Sequence, residues 1–228
     1  MNRLTGIIVR IVLAVVALAV LLAVGLIVAL SVSPRSFAWL LRKDFAAVGV
    51  NQVTPPIYYE LRQKVRAEKD IEYPSQFKSN RLDVFIPKNA TGPAATLFWV
   101  HGGGFVAGDK ADIAILMTMI AARGYVVVSI NYELAPETHY PSPIVQLGEA
   151  YRFLESNRHR FPTVDLHRLV IGGDSAGAQI ASQFIAMQIN AELARSMQLL
   201  AVLPKEDIVG AILYSGLYDL RGLYDCEN

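Results

Sequence analysis

The first pattern of hydrophobic positions in this chain is a long uninterrupted run at its N-terminus. Residues 6–30 are apolar except for small residues and Arg10, and no charge occurs from Ile11 to Leu30. About 20 apolar residues cross the hydrocarbon core of a bilayer as a helix. We therefore predict a transmembrane signal anchor over 1–33 that contacts the membrane through residues 7–30. A cleaved signal peptide stays open as an alternative, because Ala29-Leu30-Ser31 matches a small-residue cleavage site, although such apolar regions usually have only about 7–15 residues.

The second pattern is helical spacing of apolar residues between 34 and 69. One such segment covers 36–48 and carries Arg42, Lys43 and Asp44 between its apolar positions. It is expected either to lie along a membrane surface or to cover the domain that follows. After Pro55-Pro56, the segment from Ile57 to Lys69 has the mixed charges of an amphipathic helix. We interpret 34–69 as a linker with cap helices.

The third pattern, over 70–228, is an alternation of short apolar runs with helical segments. Runs rich in β-branched residues predict buried strands, and strands that alternate with helices predict parallel βαβ units. Two shorter runs come first and predict an antiparallel hairpin. The fold class is therefore α/β, with a mostly parallel sheet flanked by helices. The predicted strands are 71–77, 81–86, 95–100, 125–130, 169–171 and 208–214, and the helices are 109–122, 144–157 and 179–189.

A candidate nucleophile stands where one strand passes into a helix. The run Leu169-Val170-Ile171 is followed by Gly172 and then by Gly173-Asp174-Ser175-Ala176-Gly177, which fits G-x-S-x-G. Such a turn presents the serine hydroxyl at a helix N-terminus, where unpaired N–H groups favour a developing negative charge. Gly173 and Gly177 are expected at positions where the backbone of the turn comes too close to neighbouring backbone for a Cβ. We expect the Asp174 side chain to point away from that of Ser175.

A glycine-rich loop follows another predicted strand. The segment His101-Gly102-Gly103-Gly104 comes directly after the buried run that ends at Val100. A loop of this kind supplies a second donor to the oxyanion hole in esterases and lipases. A phosphate-binding loop is disfavoured, because no G-K-[ST] follows and no G-x-G-x-x-G is present.

The two motifs, together with Tyr132-Glu133-Leu134-Ala135-Pro136-Glu137, resemble the hormone-sensitive-lipase-like carboxylesterases of the α/β-hydrolase superfamily. The resemblance covers about 70–220. It implies an α/β-hydrolase fold and a carboxylic ester hydrolase that acts on short- to medium-chain acyl esters. Ser175 corresponds to the nucleophile, and Gly103, Gly104 and Ala176 correspond to the oxyanion-hole donors. In that family the N-terminal helices form part of a lid over the substrate pocket.

The order of the catalytic triad in this superfamily raises a question about the end of the chain. The order is Ser, then Asp or Glu, then His, but all four histidines precede Ser175. Asp219 and Asp225 follow it, too early for the triad acid. We therefore expect the triad acid and histidine not to be in this chain, and we expect the chain to be a C-terminally truncated or fragmentary, inactive form. An exposed edge strand is expected with it.

Two other functions stay open. One is a catalytically inactive binding protein on a hydrolase scaffold, and the other is an amidase or peptidase of the same fold. The intact oxyanion loop and elbow argue against the first. The pairing of H-G-G-G with Y-x-L-A-P-E favours esters over amides. Glu133 and Glu137 are expected to anchor their loop, and His139 to be a loop residue.

Composition excludes several other classes. Of 228 residues 53% are hydrophobic, and the formal net charge is +1, so nothing indicates a nucleic-acid partner. The single cysteine, Cys226, cannot form an internal disulfide. No metal-binding spacing occurs and no cofactor is expected; His159 and His167 are expected far from the site. The expected partners are an ester substrate and the membrane. Basic residues are nearly balanced on the two sides of the anchor, and by analogy we place the hydrolase domain outside the cytoplasm.

Overall fold

One mixed sheet organises the chain after residue 64. The computed structural model describes residues 3–49 and 54–219, so Asp225 and Cys226 lie outside the described residues. The strand order is β1-β2-β4-β3-β5-β6. β1 and β2 are antiparallel, β2 is antiparallel to β4, and the remaining pairs are parallel. The strands are β1 Val65–Glu72, β2 Arg81–Pro87, β3 Ala94–Val100, β4 Val126–Ile130, β5 Val164–Asp174 and β6 Ile208–Tyr214.

Helices cover both faces of this sheet. On one face, Met117 and Ala121 of α4 pack against Trp99 in a small cluster. On the other, Leu147 of α5 and Phe184 of α6 belong to the main core. This two-sided burial explains the continuous apolar runs of β3 and β4, and it confirms the predicted α/β class. The helices are α1 Arg3–Val32, α2 Pro34–Gly49, α3 Tyr58–Leu61, α4 Ala114–Ala121, α5 Ser142–Ser156, α6 Ala176–Ile189 and α7 Ala191–Ser196.

The helix expected from Ile57 to Lys69 is wrong beyond Lys64. Only a short helical turn precedes β1, which starts at Val65 and pairs with β2 from Val65 opposite Pro87 to Glu72 opposite Arg81. Most side chains of β1 are exposed and charged, which suits an edge strand. Pairing with β2 outweighs the local helical preference of this charged sequence.

A buried ion cluster connects the β1–β2 pair to the segment after the glycine-rich loop. Lys110 Nζ lies 2.8 Å from Asp83 Oδ1 and 2.7 Å from Asp70 Oδ1, and the Lys110 side chain is only 4% exposed. Burial alone would lower the pKa of Lys110, but the two carboxylates outweigh it and the pKa is raised. The Lys110 backbone N–H also donates to Asn131 Oδ1. Lys110 therefore fixes one end of the loop that starts at His101.

Replacing Lys110 with methionine is expected to destabilise the domain by about 3–5 kcal/mol, because the Asp83 carboxylate stays buried without its cation. Chemical denaturation of the detergent-solubilised chain measures this. The control is Lys64→Met, which removes an exposed pair with Glu60 and should leave the unfolding midpoint unchanged. Equal effects of the two substitutions would contradict a stabilising role for the buried cluster.

The N-terminal helix α1 packs against almost nothing in the domain. Its segment Gly6–Val32 has 27 residues with a mean hydropathy of 3.3, and it is 0% buried. By length and composition this helix could cross a membrane, and a signal sequence would meet the same criteria.

Strand β6 forms the other edge of the described sheet. Its apolar side chains are exposed, with Ile212 at 47%, Leu213 at 37% and Tyr214 at 69%. Its backbone pairs with β5 in parallel, with Gly173 opposite Leu213. The exposed edge matches the expectation from the sequence.

Candidate active site

Ser175 occupies a strained turn between β5 and α6. Its backbone has φ 51° and ψ −118°, and it is the residue immediately before the first turn of α6. A non-glycine residue at positive φ costs on the order of 1–3 kcal/mol and persists only where the surroundings enforce it. Here the Ser175 N–H donates to the carbonyl of Tyr214, at 2.7 Å, which ties the turn to the end of β6. The hydroxyl is thereby held at the end of the strand, at the start of a helix.

Two glycines allow the turn to close. A Cβ on Gly177 would overlap the Val100 carbonyl oxygen and lie 2.5 Å from that of His101. A Cβ on Gly173 would lie 2.6 Å from the same Val100 oxygen. Real Cβ atoms do not come this close, so α6 contacts β3 without space for a side chain at either position. The serine turn and the glycine-rich loop are adjacent for this reason.

The glycine-rich loop exposes its backbone donors through an unusual conformation. Gly103 and Gly104 have φ values of 117° and 61°. The Gly103 carbonyl accepts the N–H groups of Val106 and Ala107, which closes a tight turn. Within the described residues, neither the Gly103 N–H nor the Gly104 N–H makes a hydrogen bond. Ala176, the first residue of α6, leaves its N–H unpaired by helix geometry. Three backbone donors therefore remain without a partner among the described residues, in the two segments that the bond from the Gly102 N–H to Asp174 joins.

Asp174 links the loop to the serine turn. One of its carboxylate oxygens accepts Trp99 Nε1–H at 3.0 Å, and the other accepts the Gly102 N–H at 3.1 Å. Both bonds direct the carboxylate toward β3 and the loop after it, so both of its oxygens are bonded to groups other than a histidine. The carboxylate fixes the position of the loop relative to β5.

His101 is part of the loop's support. The ring is 2% exposed and stacks on Tyr132 with a centroid distance of 4.5 Å. Burial lowers the pKa of His101, so the ring is neutral at pH 7. His101 Nδ1 lies 2.7 Å from the Gly102 carbonyl oxygen, which can only accept, so Nδ1 carries the proton. The buried His101 ring thus supports the loop through its stacking on Tyr132 and its hydrogen bond to the Gly102 carbonyl.

His167 lies at the end of β5 that is distant from Ser175. His167 is in β5 and bonds to Asp207 and Arg158. It precedes Ser175 by eight residues, or about 26 Å along the strand. In the part of the chain that the structure describes, no histidine hydrogen-bonds to Ser175.

A largely apolar cavity of about 220 Å³ opens between the glycine-rich loop, the loop after β4 and the first turns of α6. Phe105 follows the glycines directly, and Gln179 lies one helical turn after Ser175, so the cavity is next to the serine turn. His139 lies on its wall in the loop after β4. Ser142 Oγ is buried there without a partner among the described residues. The remaining lining is provided by Glu133, Ala135, Thr138, Tyr140, Pro143, Ile144 and Ile180.

Helix α2 is bound to both loops through Arg42. Arg42 Nε donates to the Val106 carbonyl at 2.6 Å, and the guanidinium also donates to the Ala135 carbonyl at 3.0 Å. Two further bonds, at 3.0 and 2.6 Å, reach the Glu137 carboxylate. The Phe45 ring of the same helix lies over Gly104, where a Cβ would be 3.5 Å away. This contact could not be predicted from the pattern of residues, because Arg42 and Glu137 are 95 residues apart.

Arg42→Ala is expected to release α2 from the glycine-rich loop. Hydrogen bonds to charged groups contribute about 1.5–3 kcal/mol, and the lower end applies because the Glu137 side chain is 45% exposed. Amide hydrogen exchange in α2 should accelerate accordingly. The control is Lys43→Ala, which removes a cation that contacts Trp39 of the same helix and should leave the exchange in α2 nearly unchanged.

The same contact gives a pH dependence. The hydrogen bonds from Arg42 lower the pKa of Glu137 below its ordinary value, which is about 4.3. The stabilisation is therefore fully present above that ordinary pKa and is lost as the pH falls through the lowered one. Protection of α2 that does not change as the pH falls below about 4 would contradict the assignment.

Glu133 anchors its loop in a different direction from Glu137. Its carboxylate accepts the backbone N–H groups of Lys78 and Ser79, at 2.8 and 3.0 Å. These residues belong to the connection between β1 and β2. Both glutamates therefore hold the loop after β4, and each binds a segment that the sequence pattern alone did not associate with it.

Comparison with known proteins places this arrangement among esterases. The BD-FAE family model matches residues 82–227. A probable isoprenylcysteine alpha-carbonyl methylesterase of Arabidopsis thaliana is 31% identical over 153 residues, which are 67% of this chain and 30% of that protein.

Solved structures share the fold. Esterase B of Lactobacillus rhamnosis has a TM-score of 0.64 and 23% identity, over 74% of this chain and 53% of that one. An esterase of Pyrobaculum calidifontis has a TM-score of 0.61 and 24% identity, over 81% of this chain and 55% of that one. The chain thus spans about half the length of these esterases and less than a third of the Arabidopsis protein.

Proposed function

This chain belongs to the BD-FAE family of α/β-hydrolase carboxylesterases, and on that premise we propose that it is a membrane-anchored serine carboxylesterase that hydrolyses short- to medium-chain acyl esters. The observation that carries the proposal is the juxtaposition of Ser175, at positive φ, with the unpaired N–H groups of Gly103 and Gly104. A glycine-containing turn with only a structural role requires neither a serine at positive φ nor backbone N–H groups without partners.

The proposed reaction begins with attack of Ser175 Oγ on the ester carbonyl carbon. The negative charge that forms on the carbonyl oxygen is stabilised by the N–H groups of Gly103, Gly104 and Ala176. Collapse of the tetrahedral species breaks the bond to the alkoxy oxygen, which takes up the proton lost by Ser175 and leaves as the alcohol. Water then attacks the acyl-serine, the acid is released and a proton returns to Ser175 Oγ. Fixed backbone donors suit this chemistry because they need no reorganisation as the charge develops.

The proton of Ser175 needs an acceptor, and among the described residues no histidine hydrogen-bonds to Ser175. In α/β-hydrolases the acid and the histidine follow the serine in the chain, whereas His101, His139, His159 and His167 all precede it. The second candidate function is an inactive binding protein on the same scaffold, and it is consistent with the lack of a hydrogen bond between a histidine and Ser175 among the described residues. The intact donors beside Ser175 favour the esterase, because binding alone does not need them.

The size of the cavity supports the proposed substrate range. The cavity beside the serine turn has a volume of about 220 Å³, which has room for a small ligand group. Its lining is mainly apolar, which suits a short hydrocarbon chain better than a polar side chain. An amidase or peptidase would need donors and acceptors for the amide and its neighbouring groups.

Anchoring by α1 is supported by its length, its lack of charge after Arg10 and its exposure. A 27-residue helix is about 40 Å long, enough to cross the ~30 Å hydrocarbon core. We place the domain on the extracytoplasmic side of a single-pass anchor.

A panel of p-nitrophenyl esters and the matching p-nitroanilides tests the proposed reaction in any form of the protein that is hydrolytically active. We expect acetate to hexanoate esters to be hydrolysed much faster than the anilides. Equal turnover of anilides would contradict the carboxylesterase assignment. If a form that contains a histidine after Ser175 hydrolyses neither class, the binding-protein alternative is the better one.

A further inference from the structure

Helix α2 presents two different faces. Its inner face contacts the domain: Ala38 is 3% exposed, Arg42 bonds to both loops of the site, and the Phe45 ring lies over Gly104. The backbone of the glycine-rich loop is therefore directly beneath this helix.

The outer face of α2 carries large apolar side chains that are exposed. Phe37 is 51% exposed, Trp39 is 57% exposed and Leu40 is 39% exposed. Lys43 Nζ lies 3.9 Å from the centroid of the Trp39 ring, so a cation accompanies the aromatic side chain. Exposed aromatic and aliphatic side chains next to lysine are typical of helices that lie in the interface of a bilayer.

The position of α2 along the chain makes the bilayer the natural partner of this face. α1 ends at Val32 and α2 begins at Pro34. The Ser33 carbonyl accepts the N–H groups of Ser36 and Phe37, at 3.1 and 3.3 Å, so the connection has no slack. If α1 crosses the membrane, α2 begins within about 10 Å of the edge of the hydrocarbon core, because the apolar segment is about 40 Å long and the core about 30 Å thick.

Resting on the proposed membrane anchor, we propose that the outer face of α2, formed by Phe37, Trp39 and Leu40, binds the headgroup region of the lipid bilayer. Because the inner face of the same helix covers Gly104, the glycine-rich loop then lies about one helix diameter, roughly 10 Å, from the membrane surface. Esters dissolved in the bilayer reach Ser175 from the lipid side. The preferred substrate class is thus an ester with a membrane-partitioned hydrocarbon group.

Tryptophan quenching in vesicles tests this placement, because Trp39 and Trp99 are the only two tryptophans. The full chain is reconstituted in phosphatidylcholine brominated either near the carbonyl end or near the methyl end of one acyl chain. Trp99 is 4% exposed in the core and serves as an internal reference. If α2 lies 5–10 Å into the boundary between headgroups and acyl chains, bromine near the carbonyl end (shallow) should reduce the total tryptophan emission to roughly half. Bromine near the methyl end (deep) should reduce it much less. Trp39→Phe should abolish the difference.

A second probe tests the orientation of the helix. In a Trp39→Phe background, Phe45→Trp places the reporter on the inner face, over Gly104. We expect its quenching to be intermediate between that of Trp39 and that of Trp99. Quenching as strong as that of Trp39 would mean that the inner face points to lipid. Quenching as weak as that of Trp99 would mean that the inner face and the glycine-rich loop are remote from the membrane. Either result overturns the proposal.

Alkaline carbonate extraction of the same vesicles separates failure of this inference from failure of the anchor. If the chain is extracted, the anchor itself is wrong and the inference fails with it. If the chain resists extraction and Trp39 is not quenched by shallow bromine, the anchor stands and the interfacial helix is wrong. Stronger quenching by deep than by shallow bromine also overturns it, because α2 would then be inserted into the core.

Discussion

Ser175→Ala is expected to abolish ester hydrolysis in any form of the protein that is hydrolytically active. The alanine variant keeps the free donors of Gly103 and Gly104 but has no atom that can form the acyl intermediate. Loss of the nucleophile in serine hydrolases lowers kcat by about 10⁶-fold, and only the contribution of the oxyanion hole and of binding remains. The measurement is the initial rate with p-nitrophenyl butyrate.

The control for this substitution is Ser182→Ala, which changes a serine two turns further along α6. The Ser182 hydroxyl donates to the Gln179 carbonyl of its own helix at 2.8 Å, so its loss should leave the rate within a factor of about two. If the Ser175 variant retains the rate of the control, the nucleophile is another residue and the proposed mechanism is wrong.

Gly177→Ala is expected to disrupt the serine turn and to cost about 4 kcal/mol or more in the free energy of unfolding. The new Cβ would overlap the Val100 carbonyl oxygen and meet that of His101 at 2.5 Å. Both atoms belong to backbone, so neither can move as the end of a side chain would. The better helix propensity of alanine returns only about 1 kcal/mol. Denaturant unfolding of the solubilised chain measures the difference.

Gly210→Ala is the matched control for Gly177. Its Cβ would lie 3.7 Å from Val170 Cγ2, which is an ordinary contact. We expect this variant to unfold at nearly the same denaturant concentration as the unmodified chain, or slightly higher. A Gly177 variant as stable as the Gly210 variant would show that α6 and β3 are not packed as closely as described.

The parts of the fold that could be predicted were those with local signals. The strands β3 and β4 are buried on both faces, so their residues form continuous apolar runs that need no partner to be recognised. The serine turn was predictable for the same reason, since Gly173 and Gly177 follow a β-branched run and precede a helical segment. A close approach of backbone requires glycine and therefore leaves a mark in the sequence.

The parts that could not be predicted depend on contacts between distant residues. β1 has a charged sequence that fits a helix, and only its pairing with β2 makes it a strand. Arg42 is one basic residue among several in its segment, and its bonds to Glu137 bridge 95 positions. Asp174 likewise depends on Trp99, 75 residues away. Such pairs have no periodicity that a single sequence could show.

Helix α2 illustrates how two alternatives from the sequence meet in one element. Its spacing of apolar residues was compatible with a membrane-surface helix and with a cover over the domain. The described contacts of Arg42 and Phe45 occupy one face, and the exposed Phe37 and Trp39 lie on another. A helix with two apolar regions can both cover the domain and lie on a membrane surface. The spacing of apolar residues along the sequence does not show which region contacts which partner.

Identification of the residue that reacts with a fluorophosphonate is the most direct measurement of the central claim, that Ser175 and the glycine-rich loop form an esterase site. A hydrolytically active form is treated with the reagent, digested and analysed by mass spectrometry. We expect one adduct, on the peptide that contains Ser175, and none in the Ser175→Ala variant. An adduct on another residue, or one that persists in the alanine variant, would contradict the account.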